Sequence, residues 1–152
     1  MENLPQMEVS MEIKEYLSQS YRLNQRIESN LLEIERLKEM SLSVSAICYD
    51  REVVQTTRST EAYFVKCLAK IDELRLEIDE EVKLMVELKK QIRDTIMNVE
   101  NIDEKMVLVY RYIQNNTWEQ IGEKLNADAR TIRRWHGKAV RKVVLPENPI
   151  KI

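Results

Sequence analysis

Three observations predict an all-α protein, with a long antiparallel helical hairpin (coiled coil) followed by a small C-terminal helix-turn-helix domain. Turn residues are scarce. The 152 residues include two glycines and three prolines, and Pro146 and Pro149 sit in the tail, which leaves too few for the turns of a β-rich fold. Apolar residues recur at helical steps through two long stretches. The charges separate along the chain: residues 1–100 hold fourteen Lys/Arg against twenty Asp/Glu, and residues 101–152 hold ten against six. An acidic body therefore precedes a basic end.

The first stretch, about residues 9–46, aligns Ile13, Leu17, Leu23, Ile27, Leu31, Ile34, Leu37, Val44 and Ile47 with charged or amide residues between them, as one amphipathic helix requires. The second, residues 61–99, aligns Phe64, Leu68, Ile71, Leu74, Ile78, Val82, Met85, Leu88, Ile92, Ile96 and Val99. Its ten steps over 35 residues give the heptad spacing of a left-handed coiled coil. Neither stripe can be buried by its own helix, so each needs the other or a second chain. Between them, Cys48 to Thr60 is rich in β-branched and hydroxyl residues and loses the heptad phase, which marks a break. Ser59 or Thr60 is expected to cap the second helix, with Glu61 in its first turn.

Three shorter helices are expected after a joint at 100–103. Asn101 with Glu104 fits a capping box for a helix reaching about Gln114, and Asn115 and Asn116 tolerate left-handed backbone at its end. Thr117 with Gln120 forms a second capping box, for the short helix WEQIGEKL. Asp128 suits the N-cap of the last helix, which must stop near Val144 because Pro146 disfavours helical geometry just before it.

The last two helices have the spacing of a helix-turn-helix. Gly122 supplies the small residue, Asn126 the left-handed turn residue, and Ile121, Leu125, Ile132 and Trp135 the inner face. Ile132, Trp135, Ala139 and Val143 turn one side of the last helix inward, so Arg130, Arg133, Arg134 and Gly137 lie opposite. Residues 129–142 contain six basic residues and no acidic one, a field suited to phosphates. Arginine can bind guanine O6 and N7 bidentately, which makes Arg130, Arg133 and Arg134 candidate base readers, and Gly137 allows close backbone approach. Lys138, Arg141 and Lys142 come later and suit phosphate contacts. Thr117, Trp118 and Gln120 open the preceding helix, whose N-terminal amides commonly face a phosphate. Trp135 is expected in the core; Trp118 is divided between packing and phosphate contact.

The stretch DEKMVLVYRYIQNNTWEQIGEKLNADARTIRRWHGKAVRKV (103–143) resembles region 4 of bacterial sigma factors, in helix lengths, turn position and terminal basic run. That resemblance implies promoter recognition and places the groove-facing edge at Ala129, Arg130, Arg133, Arg134 and Gly137. The order of helical hairpin and then this module is similar to small phage-encoded regulators of Gram-positive hosts, the RinA, ArpU and LtrC groups of late-operon activators. It implies double-stranded DNA and host RNA polymerase as partners, and the cytoplasm of a bacterial host as the location. Nothing equivalent to a sigma factor's polymerase clamp or promoter-melting region is visible.

The expected segments are thus a hairpin at 9–99 for dimerisation or partner contact, a DNA-binding domain at 101–145 and a tail at 146–152. A homodimer is expected. Two other readings stay open: a DNA-packaging recognition subunit like the small subunit of a phage terminase, and a coiled-coil interaction protein that binds no DNA. An enzyme is not expected, because no glycine-rich phosphate loop, metal-ligand spacing or nucleophile–base pair stands out. His136 has no partner at triad or metal spacing, and no cofactor or metal is implied. Cys48 and Cys67 lack metal spacing, and a buried thiol is the expected state. No apolar run reaches the roughly 18 residues of a membrane span, and MENLPQMEVS lacks the basic-then-apolar order of a signal peptide, so a cytosolic location is expected.

Overall fold

A computed structural model of the chain describes the backbone of residues 4–49 and 57–152 and the side chains of residues 12–43 and 61–152. Among these residues every regular element is helical: α1 (Leu4–Tyr49), α2 (Thr57–Met97), α3 (Ile102–Leu108), one π-helical turn (Val109–Ile113), α4 (Trp118–Leu125) and α5 (Ala129–Lys142). No helix among them is long and apolar enough to cross a membrane. Because α2 begins at Thr57, Ser59 and Thr60 lie inside the helix and do not cap it; the capping position falls outside the described residues. The side chains of Val44, Ile47 and Cys48 also fall outside them.

The chain divides into two compact units, residues 25–83 and residues 1–24 with 84–152. In the unit 25–83, Ile34 and Leu37 of α1 pack with Cys67, Ile71 and Leu74 of α2, and Tyr63 and Ile78 lie against them. Arg26 Nη2 lies 2.9 Å from Glu81 Oε1, so the earlier part of α1 meets the later part of α2 and the pair is antiparallel.

The buried residues of α2 correct the sequence stripe. The inward positions follow a strict four-three alternation through Cys67, Ile71, Leu74, Glu81, Met85, Leu88 and Ile92, all under 9% exposed, with half-buried Ile78 at the intervening step. Phe64, Leu68 and Val82, which the apolar pattern selects, are exposed, as is Leu31 on α1. A single antiparallel neighbour covers only a narrow seam, and heptad geometry decides which residues enter it. A charged residue can therefore occupy a seam position while an apolar neighbour faces out.

In the other unit, Ile13, Tyr16, Leu17 and Leu23 of α1 and Met85, Leu88, Ile92 and Ile96 of α2 are buried, as is Val99 just after α2. The C-terminal helices belong to this unit. Ser20 Oγ donates to the Tyr112 carbonyl at 2.8 Å, tying α1 to the π turn.

The seam carboxylate of Glu81 depends on half-exposed Arg26. Arg26→Ala is expected to cost about 1–2 kcal/mol in urea unfolding, since it strands a buried charge-assisted contact. Glu81→Leu is expected to be neutral or stabilising, because an apolar residue of similar volume removes the desolvation cost altogether. The reverse order of stabilities would contradict the seam assignment.

Candidate nucleic-acid interface

Local chemistry builds the last three helices. Asn101 Oδ1 accepts from Glu104 N at 3.0 Å and starts α3. The return arm expected from Glu104 is absent, because its carboxylate, 8% exposed, instead accepts from Lys142 Nζ on α5 at 2.7 Å. The single helix expected to reach Gln114 changes pitch after Leu108. Gln114 N donates to Val109 O, the wide loop of a π turn, in which one extra residue is accommodated, and Asn116 N closes the following turn by donating to Tyr110 O. Asn115 then takes φ 56° and the chain turns into α4. Both arms of the Thr117–Gln120 capping box are present. Asn126 closes α4 at φ 53°, and Asp128 Oδ1 caps α5 by accepting from Thr131 N at 2.9 Å. The Thr131 side chain, followed by that backbone contact, holds the Asp128 carboxyl below its ordinary range.

Gly122 sets the approach of α4 to the following turn. A Cβ there would lie 2.5 Å from the Ala127 carbonyl oxygen, and this backbone atom cannot move aside, because the Ala127 amide bonds back to Gly122 O. The angle between α4 and α5 thus requires glycine. Val107, Ile121 and Ile132 form the core, with Tyr110, Trp118, Leu125, Ala127 and Trp135 packed around it.

Ile132, His136, Ala139 and Val140 of α5 are buried, and so is Val143 just beyond it. Arg130, Arg133, Arg134, Lys138, Arg141 and Lys142 are exposed; Ala129 and Gly137 are half-buried. Nothing lies within 4 Å of a Cβ built on Gly137. Among the described residues, Lys142 is the α5 cation engaged in an ion pair; Arg130, Arg133, Arg134, Lys138 and Arg141 are in none. Among the described residues, five cations therefore share a helix surface with no carboxylate within ion-pair distance.

Thr117 and Gln120 are exposed at the start of α4, and their side chains are engaged with each other's backbone amides. The amides of Trp118 and Glu119 have no acceptor within a regular helix. The Trp118 indole is half-buried and meets the His136 ring edge-on at 4.9 Å. Arg111, which the sequence reading did not single out, sets its guanidinium 4.2 Å over the Trp118 ring and donates to Asn116 O at 3.1 Å. A positive group is thereby fixed beside the start of α4.

His136 also went unassigned in sequence terms. Its spacing from Ile132 and Val140 was the available signal, since all three share one helix face. Its Nε2 lies 2.6 Å from Tyr112 Oη. Burial, followed by the charges of Lys14 and Arg111, pushes the imidazole down to about 4, and burial pushes the Tyr112 hydroxyl up to about 12. Both groups are neutral at pH 7, and the pair is a buried polar staple between the π turn and α5. Among the described residues, no cluster of His, Cys, Asp or Glu could hold a metal ion, and Cys67 is a buried free thiol.

A capped helix, a turn closed by left-handed Asn126 and a second helix with a basic outer face define a helix-turn-helix domain of the DNA-binding class. Residues 101–143 match the family model described as Sigma-70, region 4, so this segment is similar to a region-4 helix-turn-helix. Neither the curated proteins nor the solved structures include a match to the chain.

The His136 value makes stability depend on pH with a definite sign. The folded group titrates at about 4, below its ordinary 6.5, so the unfolded chain binds the proton first. The contribution is complete above about pH 6.5 and is lost as pH falls through about pH 4, at most about 3 kcal/mol. His136→Gln should flatten this part of the stability–pH curve. An unchanged slope would place the titrating group elsewhere.

Proposed function

We propose that the protein is a sequence-specific transcription regulator that acts at promoters with RNA polymerase, as a phage late-gene activator does. The observation that carries this reading is the outer face of α5, where five exposed cations unpaired among the described residues project from a region-4-like domain. Arg130, Arg133 and Arg134 contact base edges, with Gly137 admitting the backbone to the groove. Lys138, Arg141 and Lys142 contact phosphates, as do Thr117, Trp118 and Gln120 at the start of α4. The ring of Trp118 packs against His136 and Arg111, which supports a contact through its backbone amide. Lys142 shares its charge with Glu104 and so contributes less than Lys138 or Arg141.

A single helix-turn-helix reads one half-site, and useful discrimination generally needs a second module or a partner. The long helices supply it by forming a homodimeric coiled coil. Exposed Leu31, Leu32, Phe64, Val65, Leu68 and Leu76 support this, since one pair of helices leaves them uncovered.

Binding titrations on DNA flanking the gene and on random DNA test the reading. Alanine at Arg130, Arg133 or Arg134 should cost about 1–3 kcal/mol on the cognate site and relax preference at one base position. Lys138→Ala or Arg141→Ala should weaken both DNAs alike, and log affinity should fall linearly with log salt, by a slope of about −0.9 per neutralised phosphate. Equal effects of all five substitutions on both DNAs, or a flat salt response, would sink the groove assignment.

Leu74 lies in the core of the 25–83 unit at 6% exposure. Leu74→Glu puts a carboxylate there at a cost of several kcal/mol and should lower both self-association in analytical ultracentrifugation and cognate DNA affinity. A wild-type monomer that binds its site tightly would refute the dimer.

A further inference from the structure

Residues 146–152 follow α5 as a non-helical tail, yet their backbone is held at regular intervals. Gln91 Nε2 donates to Asn148 O at 2.9 Å, and Ile150 N donates to Gln91 Oε1 at 2.9 Å. Gln19 Nε2 donates to Ile150 O at 2.8 Å, and Ile152 N donates to Gln19 Oε1 at 2.8 Å. The bonded positions step by two, the repeat of an extended strand along one edge. Two carboxamides supply the edge, each offering a donor and an acceptor as a neighbouring strand would.

Both glutamines are themselves held in place. Tyr16 OH donates to Gln91 Oε1 at 2.7 Å, and Gln19 Nε2 also donates to Tyr16 O at 3.1 Å. Tyr16 and Gln19 are buried to within 9% exposure. With Leu145, Pro149 and Ile152 they line a common groove. Desolvation raises the Tyr16 hydroxyl above its ordinary range, which keeps it a donor.

We propose that Gln19 and Gln91 form a site that reads the main chain of an extended peptide, that residues 148–152 occupy it, and that this occupancy latches α5 onto α1 and α2. Helix α5 ends at Lys142, so a short linker carrying buried Val143 and φ-restricted Pro146 joins the reading helix to the latch. Ser20, bonded to the Tyr112 carbonyl, ties the π turn of the module to α1. The two ties together restrict the direction of α5 relative to residues 12–24 of α1. Because the cradle bonds the tail only through backbone groups, the latch tolerates a change of side chain at 148 but not the loss of the amide hydrogen at 150.

The full ¹⁵N-labelled chain without DNA tests this, so the outcome is independent of whether the module binds promoters. Amide exchange at Ile150 and Ile152 should be slowed at least about tenfold relative to a free peptide of residues 146–152. Asn148→Ala should keep this protection. Gln91→Ala and Ile150→Pro should abolish the protection that remains measurable in each. Residual dipolar couplings of α5 should share one alignment with α1 residues 12–24 in the wild type and in Asn148→Ala, and shrink in Ile150→Pro, a tail change that leaves the helical core intact. The free 146–152 peptide should shift the side-chain amide signals of Gln19 and Gln91 in Ile150→Pro but not in the wild type. Unprotected Ile150 and Ile152 amides in the wild type, or α5 couplings unchanged after protection is lost, would overturn the proposal.

Discussion

Burial of the inner face of α5 is the condition on which the rest of the module depends. A helix of 14 residues with six cations is too short and too self-repelling to persist alone in water. Ile132, His136, Ala139, Val140 and Val143 anchor it by leaving solvent together. Their removal from water turns the arginines outward as a consequence of the helix period. The charged face therefore exists because the opposite face is packed, and its direction is only as definite as that packing.

Steric and polar constraints then fix the angle. The close approach at Gly122 sets α4 against the turn, and left-handed Asn126 redirects the chain into α5. Two buried polar contacts add orientation that apolar packing lacks: Tyr112 with His136, and Glu104 with Lys142. Each would be costly to leave half-made, so each excludes alternative rotations of α5 against α3 and the π turn. The same logic applies to Glu81 with Arg26 between the long helices. A polar contact within an apolar seam disfavours slipped registers, because a slip would bury the carboxylate without its partner.

The helical segments other than the π turn, the three N-caps at Asn101, Thr117 and Asp128, the left-handed positions at Asn115 and Asn126, and the outward arginines of α5 were legible in the amino-acid sequence. Each depends on groups three or four residues apart, or on one residue's own backbone preference, and such interactions form without reference to the rest of the chain. The seam of α2 was only partly legible. Apolar residues outnumber the positions that a narrow seam can bury, so Leu68 and Val82 were indistinguishable from true seam residues, and Glu81 and Cys67 were hidden by their residue types.

Tertiary structure decided what local patterns could not. The capping arm of Glu104 was surrendered to a lysine 38 residues away, and His136 found its hydroxyl partner at a separation of 24. The tail met glutamines 57 or more residues distant. A carboxylate, an imidazole and an extended backbone all have several possible partners, and only the folded chain brings one of them within bonding distance. The sequence by itself thus determined which surface could be charged and how its helices begin and end. Long-range packing determined how firmly that surface is held, because buried polar partners are selected by proximity in space and leave no periodic trace along the chain.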